Sequence, residues 1–239
     1  MRAAVVVFPG INADAEMVRT LRDVCGLPTT VIRHTDTELP TGTDLVAVPG
    51  GFSYGDYLRA GAIAKVAPIV GAIVGHAKRG GFVLGVCNGF QILTEIGLLP
   101  GALTRNESMR FACGDVYVKV TAEGPFTQKL ESVWRLPIAH GEGRYQATAR
   151  VLSDLEASGQ IALRYCDKLG EVTDAANPNG ADLGIAAIYG GASKNVFGVM
   201  PHPERMSEAI LGGVDGRSIF DAVIAAHGAS AVPAAGSSL

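Results

Sequence analysis

Three short apolar runs, each closing on a glycine-bearing turn, restrict the folds open to this chain more than any other feature. Residues 3–8 (AAVVVF) lead into Pro9-Gly10, residues 44–48 (DLVAV) into Pro49-Gly50-Gly51, and residues 82–86 (FVLGV) into Cys87-Asn88-Gly89. None of these runs alternates apolar with polar residues, so each reads as a strand buried on both faces. Residues 29–33 (TTVIR) are β-branched and strand-like. Between the strands lie segments with helical spacing. Residues 14–24 carry Met17, Val18, Leu21 and Val24 on one side, and residues 60–78 are helix-like with a break at Pro68. The alternation predicts an α/β fold, a mostly parallel sheet with helices on both faces. Functional loops in such sheets lie at the carboxyl ends of the strands, where all three glycine turns fall.

From about residue 116 the pattern changes. Residues 116–120, 134–139, 147–151 and 161–165 read as strands with few helices between them, which predicts an antiparallel addition to the sheet. Residues 182–188 and 195–199 bring the chain back, and 217–227 should form a closing helix. A single domain is expected over 1–227, with the Ala/Ser/Gly-rich residues 228–239 as a disordered tail.

Cys87 stands where the third run turns into helix-forming sequence (90–96), with Gly85 and Gly89 two residues to either side. That is the pattern of a nucleophile elbow with cysteine in place of serine. The sharp strand-to-helix turn strains the nucleophile's backbone and leaves no room for bulk at −2 and +2. A helix N-terminus there stabilises an anion and favours the thiolate. The Asn88 N–H, aimed at the same point, is one candidate oxyanion donor. A buried cysteine in a glycine-rich turn would give the same pentapeptide.

A second segment decides between the two. Residues 197–205 (FGVMPHPER) place His202 and Glu204 directly after a short apolar strand. A thiol nucleophile needs a base, and the base needs an orienting carboxylate. The spacing from Cys87 suits partners brought together by folding rather than by sequence. The catalytic set expected is therefore Cys87, His202 and Glu204.

Composition excludes much else. At 239 residues, with 18% charged and a net charge of −3, the chain has no electrostatic footprint for nucleic acid or an anionic membrane. No run approaches the roughly 20 apolar residues of a membrane span, and residues 3–8 are too short for a signal peptide's apolar region. Cys25, Cys87, Cys113 and Cys166 are far apart, as are the five histidines, so no metal site is expected. The expected compartment is the cytoplasm, with reduced thiols.

These residues resemble the class I, triad-type glutamine amidotransferases. The matching stretches are FPGINAD (8–14), VPGGFSYGDYLRAGAIA (48–64), GVCNGFQIL (85–93), LLPGALTRNESMRF (98–111), NPNGA (177–181) and GVMPHPER (198–205). The likeness runs from about residue 3 to 226, and GGFSYGDYLR points to the branch serving purine biosynthesis. It departs at Cys113-Gly114, where a bulkier, more basic stretch is the family's habit, and after His227.

The resemblance implies a flavodoxin-like sheet and hydrolysis of glutamine to glutamate and ammonia. It implies Gly51 as the second oxyanion donor, Gln91 on the substrate's amino-acid end, and Asn106 and Arg110 near the glutamine. His140, a polar residue in AHGEGR, could line the site, contact a partner or serve a structural or surface role. Tyr54, Asp56, Tyr57 and Arg59, within residues 52–59, suit substrate gating or an interface anchor. No cofactor is expected on this chain. ATP and Mg are expected on a partner synthase subunit, which a small accessory subunit could join, because no Walker-type sequence is present. DJ-1/PfpI-like cysteine hydrolases share the elbow but are not expected to carry His-Pro-Glu. Amidotransferases of the anthranilate, GMP or imidazole glycerol phosphate pathways share the triad but not GGFSYGDYLR.

Overall fold

Each apolar run becomes a strand whose carboxyl end points toward one edge of the molecule. The computed structural model describes residues 1–130 and 132–231. Its strands are β1 (Ala3–Val7), β2 (Thr29–Arg33), β3 (Leu45–Val48), β4 (Phe82–Val86), β5 (Ala102–Thr104), β6 (Ala112–Val120), β7 (Val133–His140), β8 (Arg144–Gln146), β9 (Ile161–Cys166), β10 (Ile185–Gly190) and β11 (Val196–Val199). Nine of them make one sheet in the order β2-β1-β3-β4-β11-β10-β9-β6-β7, and β5 pairs with β8. β2, β1, β3, β4 and β11 are mutually parallel. Antiparallel pairings then carry the sheet through β10, β9, β6 and β7, so β9 and β7 again point with the parallel set. Every residue of β3 is buried, which requires cover on both faces.

The helices are α1 (Asp14–Arg19), which continues as a π-helical turn over Thr20–Val24, then α2 (Val70–Lys78), α3 (Asn88–Glu95), α4 (Ala149–Ala157) and α5 (Arg217–Ala231). Two differences from the sequence reading have clear causes. Residues 60–69 do not join α2, because the residue before Pro68 is pushed out of the helical region: Ala67 is extended at φ −71°, ψ 142°. Residues 147–151 are not a strand but open α4. There the Thr148 hydroxyl accepts from the Val151 N–H at 3.4 Å, while Leu152 and Leu155 turn toward the core. Thr148→Ala should cost about 1 kcal/mol in urea unfolding, and an unchanged midpoint would remove the cap from this account. The last helix continues past residue 227 to Ala231, into the stretch expected to be a disordered tail. Residues 232–239 of that stretch lie outside the described residues. Among the described residues no helix is long and apolar enough to cross a membrane.

Register sets up the site. Val48 pairs with Gly85 and Val86 with Val199, so the turns after β3, β4 and β11 emerge side by side. The Cys87 N–H then donates to the Val199 carbonyl at 2.8 Å, and the His202 N–H to Pro137 of β7 at 2.8 Å. The segment after β11 is thus pinned between the elbow and the edge strand of the sheet.

Candidate active site

The turn at Cys87 is a true elbow. Its backbone sits at φ 52°, ψ −106°, a left-handed conformation costly for any residue with a side chain. A Cβ on Gly85 would stand 2.7 Å from the Gly89 carbonyl oxygen, and one on Gly89 would overlap the carbonyl of Val48. Small residues at −2 and +2 are therefore a steric demand of the turn. Asn88 opens α3, so its N–H has no acceptor one helical turn back.

His202 and Glu204 come to the same place from the other side. The His202 Nδ1 and Glu204 Oε1 lie 2.5 Å apart, with the two side chains 3% and 0% exposed. The Glu204 carbonyl accepts from the Thr20 hydroxyl at 3.3 Å and the Ser207 hydroxyl at 3.2 Å, which fixes the 3₁₀ turn Pro203–Met206. The Cys87 sulfur faces the same imidazole closely enough to act on its charge, and its thiol donates to the Ala139 carbonyl at 3.8 Å. Burial alone would lower the imidazole's pKa. The Glu204 carboxylate, and then Cys87, outweigh burial and push it up to about 10. At neutral pH the imidazole is thus held as a cation between carboxylate and sulfur. Glu204 Oε2 is buried without a partner.

A cavity of about 130 Å³ opens over the sulfur, lined by Asn12, Gly51, Phe52, Cys87, Phe111, Ala139, His202 and Arg205. Gly51 lies at φ 151°, and a Cβ there would meet Ile11 Cα at 2.6 Å and Asn12 N at 2.7 Å. Only glycine brings this backbone so close to the turn after β1. Asn12, Ala139 and Arg205 were not singled out by sequence reasoning; Asn12 and Arg205 sit inside two of the matching stretches, which was the available signal. A larger hollow of about 400 Å³ lies at the amino ends of the strands, around Thr37–Thr43 and His76, and contains no nucleophile.

Gln91 and Asn106 do not line the cavity. The Gln91 Oε1 accepts from Asn88 Nδ2 at 2.8 Å, and its Nε2 donates to the Glu142 carbonyl at 2.6 Å. Asn106 is fully buried. Its Oδ1 accepts from the Gly143 N–H and faces His140 Nδ1, and its Nδ2 donates to the carbonyls of Arg110 and His140. That uses the whole hydrogen-bonding capacity of the amide, so Asn106 shapes a loop instead of touching substrate. His140 is likewise buried, its pKa lowered to about 4 by burial and then by the charge on His202, and it is neutral. Arg110 lines a neighbouring hollow of about 230 Å³, together with Phe52, Asp56, Arg105, Met109, Phe111, Gly141 and Glu142.

Asp56 is the odd group in that hollow. Burial, then the nearby Glu142, raise its pKa to about 6, against a hydrogen bond from Asn88 that lowers it. A carboxyl raised on folding favours the folded state below its unfolded pKa, and that advantage disappears as pH rises through 6. Asp56→Asn should therefore raise the melting temperature at pH 7.5, by about 1 kcal/mol in stability once its exposure to solvent is allowed for, and the gain should shrink toward pH 4. Melting curves at the two pH values check this; an equal shift at both would contradict it.

The CobB/CobQ-like glutamine amidotransferase domain family matches residues 1–214, and the chain belongs to that family. Its relatives narrow the placement. The chain is 52% identical over 223 residues to the phosphoribosylformylglycinamidine synthase subunit PurQ of Bradyrhizobium diazoefficiens, covering 92% of this chain and 95% of the relative. To the PurQ of Moorella thermoacetica it is 51% identical over 227 residues, covering 94% and 95%. A chain in the structure of PurLQS from Thermotoga maritima superposes with a TM-score of 0.83 at 40% identity, covering 95% of this chain and 98% of that one. A glutamine amidotransferase from the same organism shares the fold alone, with a TM-score of 0.58 at 14% identity over 96% and 83% of the two chains. The purine branch suggested by GGFSYGDYLR is thus supported along nearly the whole chain.

Proposed function

We propose that this chain is the glutaminase subunit of phosphoribosylformylglycinamidine synthase, releasing ammonia from glutamine through a thioester on Cys87. The sulfur attacks the side-chain amide carbon, and the electron pair of the carbonyl moves onto oxygen. The Gly51 and Asn88 N–H groups receive that oxyanion; losing one such donor typically costs on the order of 10²–10³ in rate. His202 gives a proton to the departing nitrogen, and ammonia leaves the γ-glutamyl thioester behind. His202 then takes a proton from water, which attacks the thioester and yields glutamate and the free thiol. Glu204 holds the imidazole's orientation and balances its charge.

Released ammonia is useful only to an enzyme that consumes it. The partner is the synthase subunit PurL, which converts formylglycinamide ribonucleotide to the formylglycinamidine ribonucleotide; ATP and Mg belong to that subunit, and a small accessory subunit joins them in the cytoplasm. The exposed apolar rim of the site, with Phe52, Tyr57, Leu58, Met109 and Phe111, is where we place the synthase.

The observation that carries this reading is a strained, left-handed Cys87 sharing one cavity with a buried His202–Glu204 pair. Diazo-oxonorleucine, a glutamine mimic that alkylates an activated thiol, should add one equivalent to Cys87 by mass spectrometry, and glutamine should protect. Hydrolysis should rise when the synthase is added. Labelling spread over Cys25, Cys113 and Cys166 would sink the assignment.

A further inference from the structure

Residues 177–181 (NPNGA) take no part in the thioester chemistry, yet the segment is tied down from within and from without. Asn177 Oδ1 accepts the N–H groups of Gly180 at 3.1 Å and Ala181 at 3.2 Å, and its Nδ2 donates to the Ala181 carbonyl at 2.9 Å. The Asn179 carbonyl accepts the Glu107 N–H at 3.0 Å, and the Gly180 carbonyl accepts Arg144 Nε at 2.9 Å. The turn is therefore fixed before it touches anything near the sulfur.

What this turn presents is the buried side chain of Asn179. Its Oδ1 accepts the Ala181 N–H at 3.0 Å. Its Nδ2 donates to the Gly143 carbonyl at 2.9 Å and to the Tyr165 hydroxyl at 3.3 Å, which commits both amide hydrogens. Asn106 accepts the N–H of the same Gly143 at 3.0 Å, so two buried asparagines clasp one residue. Gly143 closes the loop 139–143, and that loop lies against the nucleophile. The Cys87 thiol donates to the Ala139 carbonyl, and Gln91 of the elbow helix donates to the Glu142 carbonyl. Tyr165 arrives from β9, fully buried. Burial pushes its pKa up against the bond from Asn179, and the charge on Cys87 adds to the rise, so the hydroxyl keeps its proton.

We infer that Asn179 is a positioning residue for the nucleophile, carrying the 139–143 wall so that the Ala139 carbonyl stays against the sulfur. The inference rests on the glutaminase reading above and extends it to a side chain outside the cavity. An amide suits the place because two acceptors, a carbonyl and a phenol oxygen, face one nitrogen. An apolar side chain would leave the buried Gly143 carbonyl without a donor, and a carboxylate would set oxygen against oxygen. Either way the wall must shift to find a partner, and a shift of about 1 Å beside reacting atoms costs about 10²-fold in rate.

The test compares Asn179→Asp with Asn179→Ala in the complex with the synthase subunit. At pH 8.5 each should lower kcat/KM for glutamine roughly 10- to 100-fold against the native complex at the same pH. At pH 6 the buried aspartic acid carries a proton that it can give to the Gly143 carbonyl. Its deficit should then shrink at least about 3-fold, while that of the alanine variant stays. Of the groups around position 179, Tyr165 keeps its proton and His140 stays neutral over this interval. Arg144, Glu107 and Asp182 are common to native and variant complexes and cancel in the ratio. Native kcat/KM in both variants, or an aspartate deficit that does not shrink relative to the alanine one, overturns the positioning role. If neither variant folds, the native protein decides by NMR. The Gly143 and Glu107 amide hydrogens should exchange at least about 10²-fold more slowly than in an unstructured chain, and unprotected amides overturn the proposal. A native complex that does not hydrolyse glutamine refutes the glutaminase reading instead, so the two failures are distinguishable.

Discussion

Cys87→Gly should hydrolyse glutamine at least about 10⁴-fold more slowly than the native chain and yet be more stable than Cys87→Ala. Loss of rate follows from loss of the only atom that can form the thioester. The order of stability follows from the backbone. At φ 52°, ψ −106°, Cys87 occupies a conformation that costs a residue with a Cβ about 1–3 kcal/mol. Alanine keeps the Cβ and the strain while losing the thiol. Glycine loses the thiol too but adopts the turn freely, and its disadvantage from extra unfolded-state entropy is only about 0.5–1 kcal/mol. The usual ranking of alanine over glycine should therefore invert by about 1 kcal/mol. Urea unfolding of both variants beside an ammonia-release assay reads the two effects together. An alanine variant as stable as the glycine one would mean the elbow stores no strain; surviving hydrolysis would mean the nucleophile is elsewhere.

That strain also explains how much of the molecule could be seen in its sequence. The parallel strands were legible because burial on both faces forces continuous apolar runs, and the elbow because its geometry forbids side chains at Gly85 and Gly89. His202 and Glu204 were legible through the chemistry a thiol requires. Less visible was anything set by packing between distant segments. The start of α4 looks like a strand because Thr148 and Val151 are β-branched, although the threonine is there as a cap. Insertion of β11 between β4 and β10 is a matter of register, not pattern. Asn106 carries the right atoms for binding glutamine, but the Gly143 N–H, the His140 ring and two carbonyls claim them first. Asp56 and Glu142 are 86 positions apart in sequence, and only the fold makes them neighbours.

In the sequence Gly50 is one residue of a turn whose neighbour Gly51 draws the chemical interest; the structure gives Gly50 the sharper consequence. A Cβ on Gly50 would stand 2.6 Å from His202 Cε1 and 3.2 Å from Cys87 Cβ, in the space where the imidazole meets the thiol. What it would strike is a side chain, and a side chain can give way. Gly51 differs: its Cβ would strike backbone atoms of Ile11 and Asn12, and its φ of 151° already disfavours a side chain. Gly50→Ala should accordingly push the buried imidazole off the sulfur, at a smaller cost in melting temperature than a clash with backbone would bring. Misplacement by about 1 Å in a reacting pair costs about 10²-fold, so kcat should fall at least that far. KM should change less than kcat, because the clash falls on the imidazole and leaves the neighbouring hollow around Arg110 untouched. Gly51→Ala should lower the melting temperature further. Steady-state kinetics and thermal melts on the two variants separate these outcomes. A Gly50→Ala enzyme with native kcat would mean that the imidazole works from a position other than the one it occupies here.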